Sequence, residues 1–378
     1  MSNSDAEKMI RFAEALIDQE SARIVVEPKE RAPGFWFGGG NGAIGPDGRL
    51  YIVGRYRNSG DSTTGLRKGE RGLELALFRS ETPWNGKDLP ALERVFSLTK
   101  GDLSRAGSTV LSIEGTALRF YDGGVELFIS SEKKELPYPA GLEGFRKPGT
   151  GVWTIERLRS SSVEELPSAP LEPVVAGSEP EQWHVKDPVI HETHNGATIL
   201  FFCNHPFSWT SSNSAYVVRR PGREEEEPQE AFENSVFDFF PRGSAWDVAV
   251  SRVTDALDLS KIPGYRGTPE TLIFYDGAEC MREHEQNPNA LQRPRGYSCE
   301  EIAGLAYYPG DDPRGVRRLS ITAPTFLSPW GTGSCRYIHT FLTERAVVAI
   351  WQQAQSDGSQ PLVLRSLPTE EAVALLGQ

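Results

Sequence analysis

Three stretches, GGNGAIGPDGRLYIVGRY (39–56), SIEGTALRFYDGGVELFIS (112–130) and VKDPVIHETHNGATILFFC (185–203), are variants of one pattern: a short strand, a Gly-containing turn and a second apolar strand. Aligned on their turns, they place Asn41, Glu114 and Asp187 at the start of the first strand, at successive intervals of 73 residues. Self-similarity at a long fixed period marks a repeat architecture. A hairpin followed by further strands is the blade of a β-propeller, whose innermost strands start at a central channel. One polar residue per blade at that point converges on one pocket.

Working outward, a third strand recurs as GLELALFRSETPW (72–84), GVWTIERLRSS (151–161), AWDVAVSRVTDAL (245–257) and PLVLRSLPTEE (361–371). An outer fourth strand is read in ERVFSLT, LEPVVAG and ETLIFYD, and apolar–polar alternation supports strand over helix in most of these segments. Further inner strands are expected at CEEIAGLAYYP (299–309), with VRRLSIT as its second strand, and at SCRYIHTFL (334–342), making five blades. The segment SARIVVEP (21–28) reads as an orphaned fourth strand that closes the ring on the last blade and hides its edge. Residues 5–18 carry apolar residues at helical spacing, and EEAVALL ends the chain as a second helical pattern. The expectation is an all-β fold: an N-terminal helix over residues 1–20, then a single five-bladed propeller over 21–378. The acidic run GREEEEPQEAFENS (222–235) reads as a solvated insertion in blade 3.

Composition narrows the partners. The 40 Lys and Arg against 52 Asp and Glu give a net charge of −12, unsuited to a phosphate backbone. No apolar run reaches the length of a membrane span, and the acidic first residues lack the basic region of a secretion signal. A cytoplasmic protein is expected, with Cys203, Cys280, Cys299 and Cys335 as reduced, buried thiols, since they are scattered and form no C-x-x-C pair. P-loop, nucleophile-elbow and dinucleotide fingerprints are missing from the sequence.

Propeller topology sorts the polar residues by face. Entry loops and second-to-third-strand loops share one face, which receives Trp36, Asn41, Glu114, His184, Lys186, Asp187, Glu300, Glu301 and Arg336, together with Arg55, Asp61, His205, Trp209 and Gln352. The opposite face receives the tight turns, including HETHNG (191–196). HETH therefore reads as a surface hairpin turn and not a zinc site, because the zinc-protease pattern needs two histidines one helical turn apart. His284 and Glu285 fall in a loop before the fourth blade.

The strings KDPVI with ILFFC, and IEGTAL with VELFIS, resemble the blades of five-bladed β-propeller glycosidases, glycoside hydrolase family 43 and related clans. In that family the first strands of the first three blades supply three carboxylates: a base or nucleophile, a residue that tunes pKa and positions the sugar, and a general acid. The resemblance implies a glycoside hydrolase acting on a small oligosaccharide, with neither nucleic acid nor membrane as partner. It implies no organic cofactor, and a divalent ion near the channel held through His339. Two departures stand out: Asn41 occupies the first-blade slot, and Glu precedes Asp in blades 2 and 3. A neutral amide cannot activate water.

Glu114 is read as general acid and Asp187 as its ionised partner, with Glu301 the first substitute for either; Asp61 is a further carboxylate within loop reach. Trp36, Asn41, Arg55, His184, His205 and Arg336 are the expected substrate contacts, aromatic faces being suited to sugar rings. The rival view of each is scaffolding, since a polar residue opening a blade also caps strand backbone or pairs with a neighbouring Arg. Two other functions remain open: a lyase or phosphorylase using basic residues around a uronate or phosphate, and a non-catalytic sugar-binding propeller.

Overall fold

The computed structural model describes residues 3–58, 70–105, 107–146, 149–207, 211–220, 231–279 and 301–377. Its core is a five-bladed β-propeller of five antiparallel sheets. Blade 1 contains Trp36–Gly38, Gly42–Ile44, Leu50–Asn58, Glu70–Ser80 and Leu92–Thr99. Blade 2 runs through Val110–Tyr121, Gly124–Lys133, Val152–Ser160 and Glu172–Val175, and blade 3 through His184–Glu192, Thr198–His205, Asn213–Arg219 and Glu233–Phe240. Blade 4 comprises Val250–Asp258, Glu270–Ala278, Ile302–Pro309 and Arg317–Arg318. Blade 5 takes Cys335–Leu342, Ala346–Gln353 and Leu362–Pro368 from the end of the chain and Arg23–Val26 from its start.

Ring closure is as the orphaned strand requires. Arg23 pairs with Leu364 and Ile24 with Val363, antiparallel, so the two ends of the chain share a sheet. The helix Asn3–Leu16 reinforces this seam. Its apolar stripe (Met9, Phe12, Ala13, Leu16) is buried with Leu272, Leu305, Val347, Trp351 and Leu367 from blades 4 and 5. Gln19 adds a polar clasp, its Oε1 accepting from Trp351 Nε1 at 3.1 Å and Gln353 Nε2 at 2.8 Å.

Blade 4 differs from the sequence expectation. The stretch 245–257 is not a third strand of blade 3; Val250–Asp258 is the inner strand of blade 4, and ETLIFYD lies in its second strand. The expected inner strand at 299–309 is therefore the third, pairing Glu270 with Pro309 through Gly277 with Ile302. VRRLSIT supplies only the two-residue fourth strand. The last three residues of the supposed insertion, 233–235, open the true fourth strand of blade 3, Glu233–Phe240, beside Asn213–Arg219. Alternation reports that a segment is half-buried in a sheet but not its rank within the blade. The inner strand of blade 4 also carries Arg252 and Thr254 near its start and lacks the acidic signature of blades 2 and 3.

Candidate active site

The inner strands are irregular near their entry ends. In blade 2 the register steps from Ile113–Ser131 to Thr116–Ile129, and in blade 3 from Lys186–Cys203 to Val189–Phe201. Blade 5 steps likewise from Arg336–Gln352 to His339–Ile350. A bulge of this kind re-aims a side chain and sharpens the local twist. It places Glu114, Asp187 and Tyr337 in one structural slot facing the channel. Asp187 (φ 56°) and Tyr337 (φ 53°) adopt left-handed backbone, a strained state for non-glycine residues that the surrounding bonds must hold. Gly115 N donates to Asp187 Oδ1 at 2.8 Å, and Tyr337 N donates to Asp276 at 3.2 Å. A Cβ on Gly115 would fall against Asp187 Oδ1, so this close inter-blade approach demands glycine.

Blade 1 corrects the expectation for Asn41. Gly38 pairs with Arg55, and the Asn41 carbonyl accepts from Val53 N, so Gly39 and Gly40 occupy the bulge and Gly39 stands level with Glu114 and Asp187. Asn41 lies further along the strand. Its amide is consumed by blade 2 backbone, Nδ2 donating to Leu118 O at 2.8 Å and Oδ1 accepting from Leu118 N at 2.7 Å. The equal spacing counted residues, whereas register follows the bulges.

The slot residues meet a dense charge cluster. Arg252 is its hub, nearly fully buried. It donates to Asp187 Oδ2 at 3.0 Å and Asp276 Oδ2 at 2.6 Å, pairs with Glu301 Oε2 at 2.8 Å, and lies 4.2 Å from the Tyr337 ring. Lys186 Nζ lies 3.9 Å from both Glu114 Oε2 and Asp187 Oδ2, so these two carboxylate oxygens are separated by no more than twice that distance. Glu114 also accepts from Arg55 Nη2 at 3.2 Å and Ser112 Oγ at 2.7 Å. Arg336 donates to Glu301 at 2.8 Å, and its guanidinium lies 5.3 Å from the Trp36 ring, with that of Arg55 at 4.7 Å.

The cations decide which carboxyls are charged. Burial alone would raise Asp187, but Lys186, Arg252 and Arg55 outweigh it and hold the carboxyl below its usual range. Burial opposes ionisation of Glu301 too, and Arg252 and Arg336 overcome it, so that group is also held low. Asp276 moves the other way: burial pushes it up against the pull of Arg252, and the charge on Glu301 adds to the rise. Asp187 and Glu301 are fixed anions at neutral pH, and Asp276 is the carboxyl most ready to keep a proton.

Of the candidates named from sequence, Glu114, Asp187, Glu301, Trp36, Arg55 and Arg336 meet in this cluster. Glu301 arrives from the head of a third strand and not from an inner one; second-to-third loops share the entry face, which is why it still reaches Arg252. His205 is buried, with Nε2 3.8 Å from Cys203 Sγ, and burial keeps it neutral. His184 is packed between Tyr138 (Oη to Nε2, 3.0 Å) and the Trp153 ring, and burial lowers its pKa to about 3. Cys203 and Cys335 are free, buried thiols. Asp61, Trp209, Glu300, His284, Glu285, Cys280 and Cys299 lie outside the described residues.

Sequence reasoning missed Arg252, Asp276 and Tyr337. The first two lie in the strands whose rank was misread. Tyr337 directly follows Arg336, and only its backbone conformation singles it out.

On the opposite face, His191 and His339 line a cavity of about 340 Å³ with Asp255 and Lys261. His191 Nδ1 bonds Ala256 O at 2.9 Å, and the exposed His194 and Asn195 give backbone N–H groups to Asp311, as suits a hairpin turn. His339 Nε2 is 3.6 Å from Asp255 Oδ1, and among the described residues no group of three His, Cys, Asp or Glu side chains is placed to hold a metal ion. Among the described residues, the side chains around His339 do not make a three-ligand set for the divalent ion that the resemblance implied.

A five-bladed propeller with acidic and basic side chains converging at the entry mouth of its channel defines the class of this protein. No family model and no curated protein matches its sequence. Solved structures do match. The chain is similar to an α-L-arabinofuranosidase from Lactobacillus brevis at 10% identity and TM-score 0.57, covering 92% of this chain and 93% of that one. It is similar to a thermostable family-43 glycoside hydrolase at 11% identity and TM-score 0.52, covering 90% and 92%. A GH43_1 enzyme from Xanthomonas citri complexed with xylotriose matches at 11% identity and TM-score 0.51, covering 96% and 93%. The fold is that of family-43 glycoside hydrolases.

Proposed function

We propose that the chain is a carbohydrate-active enzyme that cleaves a glycosidic bond of a small oligosaccharide at the entry face of the propeller. One observation carries the reading: Glu114 and Asp187 share the Lys186 ammonium, each 3.9 Å from it, so these carboxylate oxygens lie within twice that distance of each other. Glycosidic cleavage uses two carboxyl groups about 5–10 Å apart, one giving a proton to the leaving oxygen and one remaining ionised. Asp187, held anionic by three cations, suits the ionised role. Glu114, held by Ser112 and Arg55 at the pocket wall, is assigned the acid role. Glu301 is the first substitute for either. Trp36, packed against Arg55 and Arg336, is the aromatic residue assigned to the sugar-binding wall.

The test is turnover of chromogenic arabinosides, xylosides, galactosides and fructosides. Glu114→Gln is expected to lower turnover by roughly 10²–10⁴-fold while sugar binding persists, because shape is kept and the proton is lost. Near-wild-type turnover in both Glu114→Gln and Asp187→Asn overturns the assignment. A second reading, a sugar-binding propeller without catalysis, is favoured by Gly39 in the first-blade slot. Sugar binding with no cleavage of any substrate in the panel would select it.

A further inference from the structure

On the reading that this pocket cleaves a glycosidic bond, one corner of it is unsuited to water as the attacking group. Water must surrender a proton to a base as it attacks. The bulge slot of blade 1 would bring a third carboxylate beside Glu114 and Asp187, yet it holds Gly39. A Cβ on Gly39 would fall on Arg55 Nη1, so the guanidinium already stands where a side chain at that position would begin.

Arg55 Nη2 is used by Glu114 at 3.2 Å and Tyr337 Oη at 3.1 Å. Nη1 is buried and, among the described residues, has no hydrogen-bond partner. A buried guanidinium N–H without an acceptor is costly, and an anion relieves it best. Two more cations border the same corner: Arg336 over the shared Trp36 ring, and Lys186 beside the carboxylate that Arg55 binds. The remaining carboxylates are weak bases. Asp187 and Glu301 are each held below their ordinary range and are both committed to Arg252, which leaves Glu114 as the carboxyl assigned to move a proton. With Asp276 pushed towards its neutral form, the four cations Arg55, Lys186, Arg252 and Arg336 outnumber the charged carboxylates.

We propose that the attacking group is inorganic phosphate, held by Arg55 with Arg336 and Lys186, and that the reaction is phosphorolysis of the glycosidic bond. Hydrogen phosphate is already an anion and attacks without a base. One of its oxygens bonds to the anomeric carbon as the bond from that carbon to the leaving oxygen breaks. The leaving oxygen takes a proton from Glu114, and the proton carried by phosphate returns to Glu114. The products are a glycosyl phosphate and a free sugar hydroxyl, with one phosphate consumed per bond and nothing oxidised or reduced.

The experiment pairs cleavage with binding on the full chain. Disaccharides and aryl glycosides of arabinose, xylose, galactose and fructose are incubated with and without millimolar inorganic phosphate, and products are followed by phosphorus NMR. Binding of inorganic phosphate is measured by calorimetric titration, with chloride as the control. The expected result is cleavage that saturates with phosphate and yields a glycosyl phosphate. Phosphate affinity should fall about tenfold or more in Arg55→Gln and less in Arg55→Lys, which keeps the charge. The wild-type phosphate dependence decides the matter even if Arg55→Gln fails to fold. Cleavage to free sugar at a rate independent of phosphate overturns phosphorolysis and leaves glycosidic cleavage standing. No cleavage in either arm, with no heat of phosphate binding, overturns both.

Discussion

Arg252 shows how one buried residue sets the charge state of several others. Its guanidinium faces Asp187, Asp276 and Glu301 at 2.6–3.0 Å and is nearly inaccessible to water. Removing one partner from a buried ion cluster strands the rest, at about 3–5 kcal/mol. Arg252→Met is therefore expected to lose stability on that scale in urea denaturation at pH 7. Arg252→Lys should recover only part, since an ammonium cannot fork across three carboxylates. The pH dependence follows from the direction of each shift. Asp187 is depressed in the folded state, so its contribution is present above the unfolded value of 3.8 and is lost as pH falls through the folded value. Asp276 is raised, so its contribution favours the folded state at low pH and fades as pH rises through its folded value. The stability gap between wild type and Arg252→Met should thus be widest near neutrality and narrow below about pH 4. Equal gaps at pH 7 and pH 3 would show that Arg252 acts through packing alone.

Between elements, neighbouring blades are joined by polar contacts at both faces of the ring. On the face away from the site, Glu126 accepts from Arg157 Nη1 and from both Nη atoms of Arg219 at 2.8 Å, and from Arg119 at 3.1 Å, tying blade 2 to the third strand of blade 3. Burial would raise Glu126, but these arginines outweigh it and keep the carboxyl low. Its stabilising effect is present above the unfolded value and disappears as pH falls through the folded one. Glu126→Gln should cost about 2 kcal/mol at pH 7 in chemical denaturation, and the cost should shrink as pH falls below the unfolded value of 4.5. Rank within a blade is likewise an element-scale property. Val250–Asp258 is an inner strand and Asn213–Arg219 a third one, and it is the pairing partners that distinguish them.

At the scale of the whole molecule, the ring is closed by pairing the two ends of the chain in one sheet. The chain's first strand completes its last blade, and Phe12 is fully buried against the blade 4 and 5 seam. Phe12→Ala is expected to cost about 3–5 kcal/mol by loss of packing, read by denaturant titration. Deleting residues 1–28 exposes the edge of Leu362–Pro368 and should replace a cooperative melt by self-association, visible in light scattering. A truncated protein that stays monomeric and melts cooperatively would show that closure is dispensable. The strands of blades 1, 2 and 5, the number of blades, the closing segment SARIVVEP and the carboxylates Glu114 and Asp187 were legible in the sequence. Alternation, turn residues and repeat spacing are local or periodic signals, and propeller topology converts them into a shared face. Gly39 as the occupant of the first-blade slot, Arg252 as the hub, Asp276 beneath it and the left-handed Tyr337 were decided only by the tertiary structure. Bulges shift register without changing residue counts, and a buried charge acquires its partners from strands far away in the sequence. Which carboxyl keeps a proton then depends on those partners, and the chain order does not encode them locally.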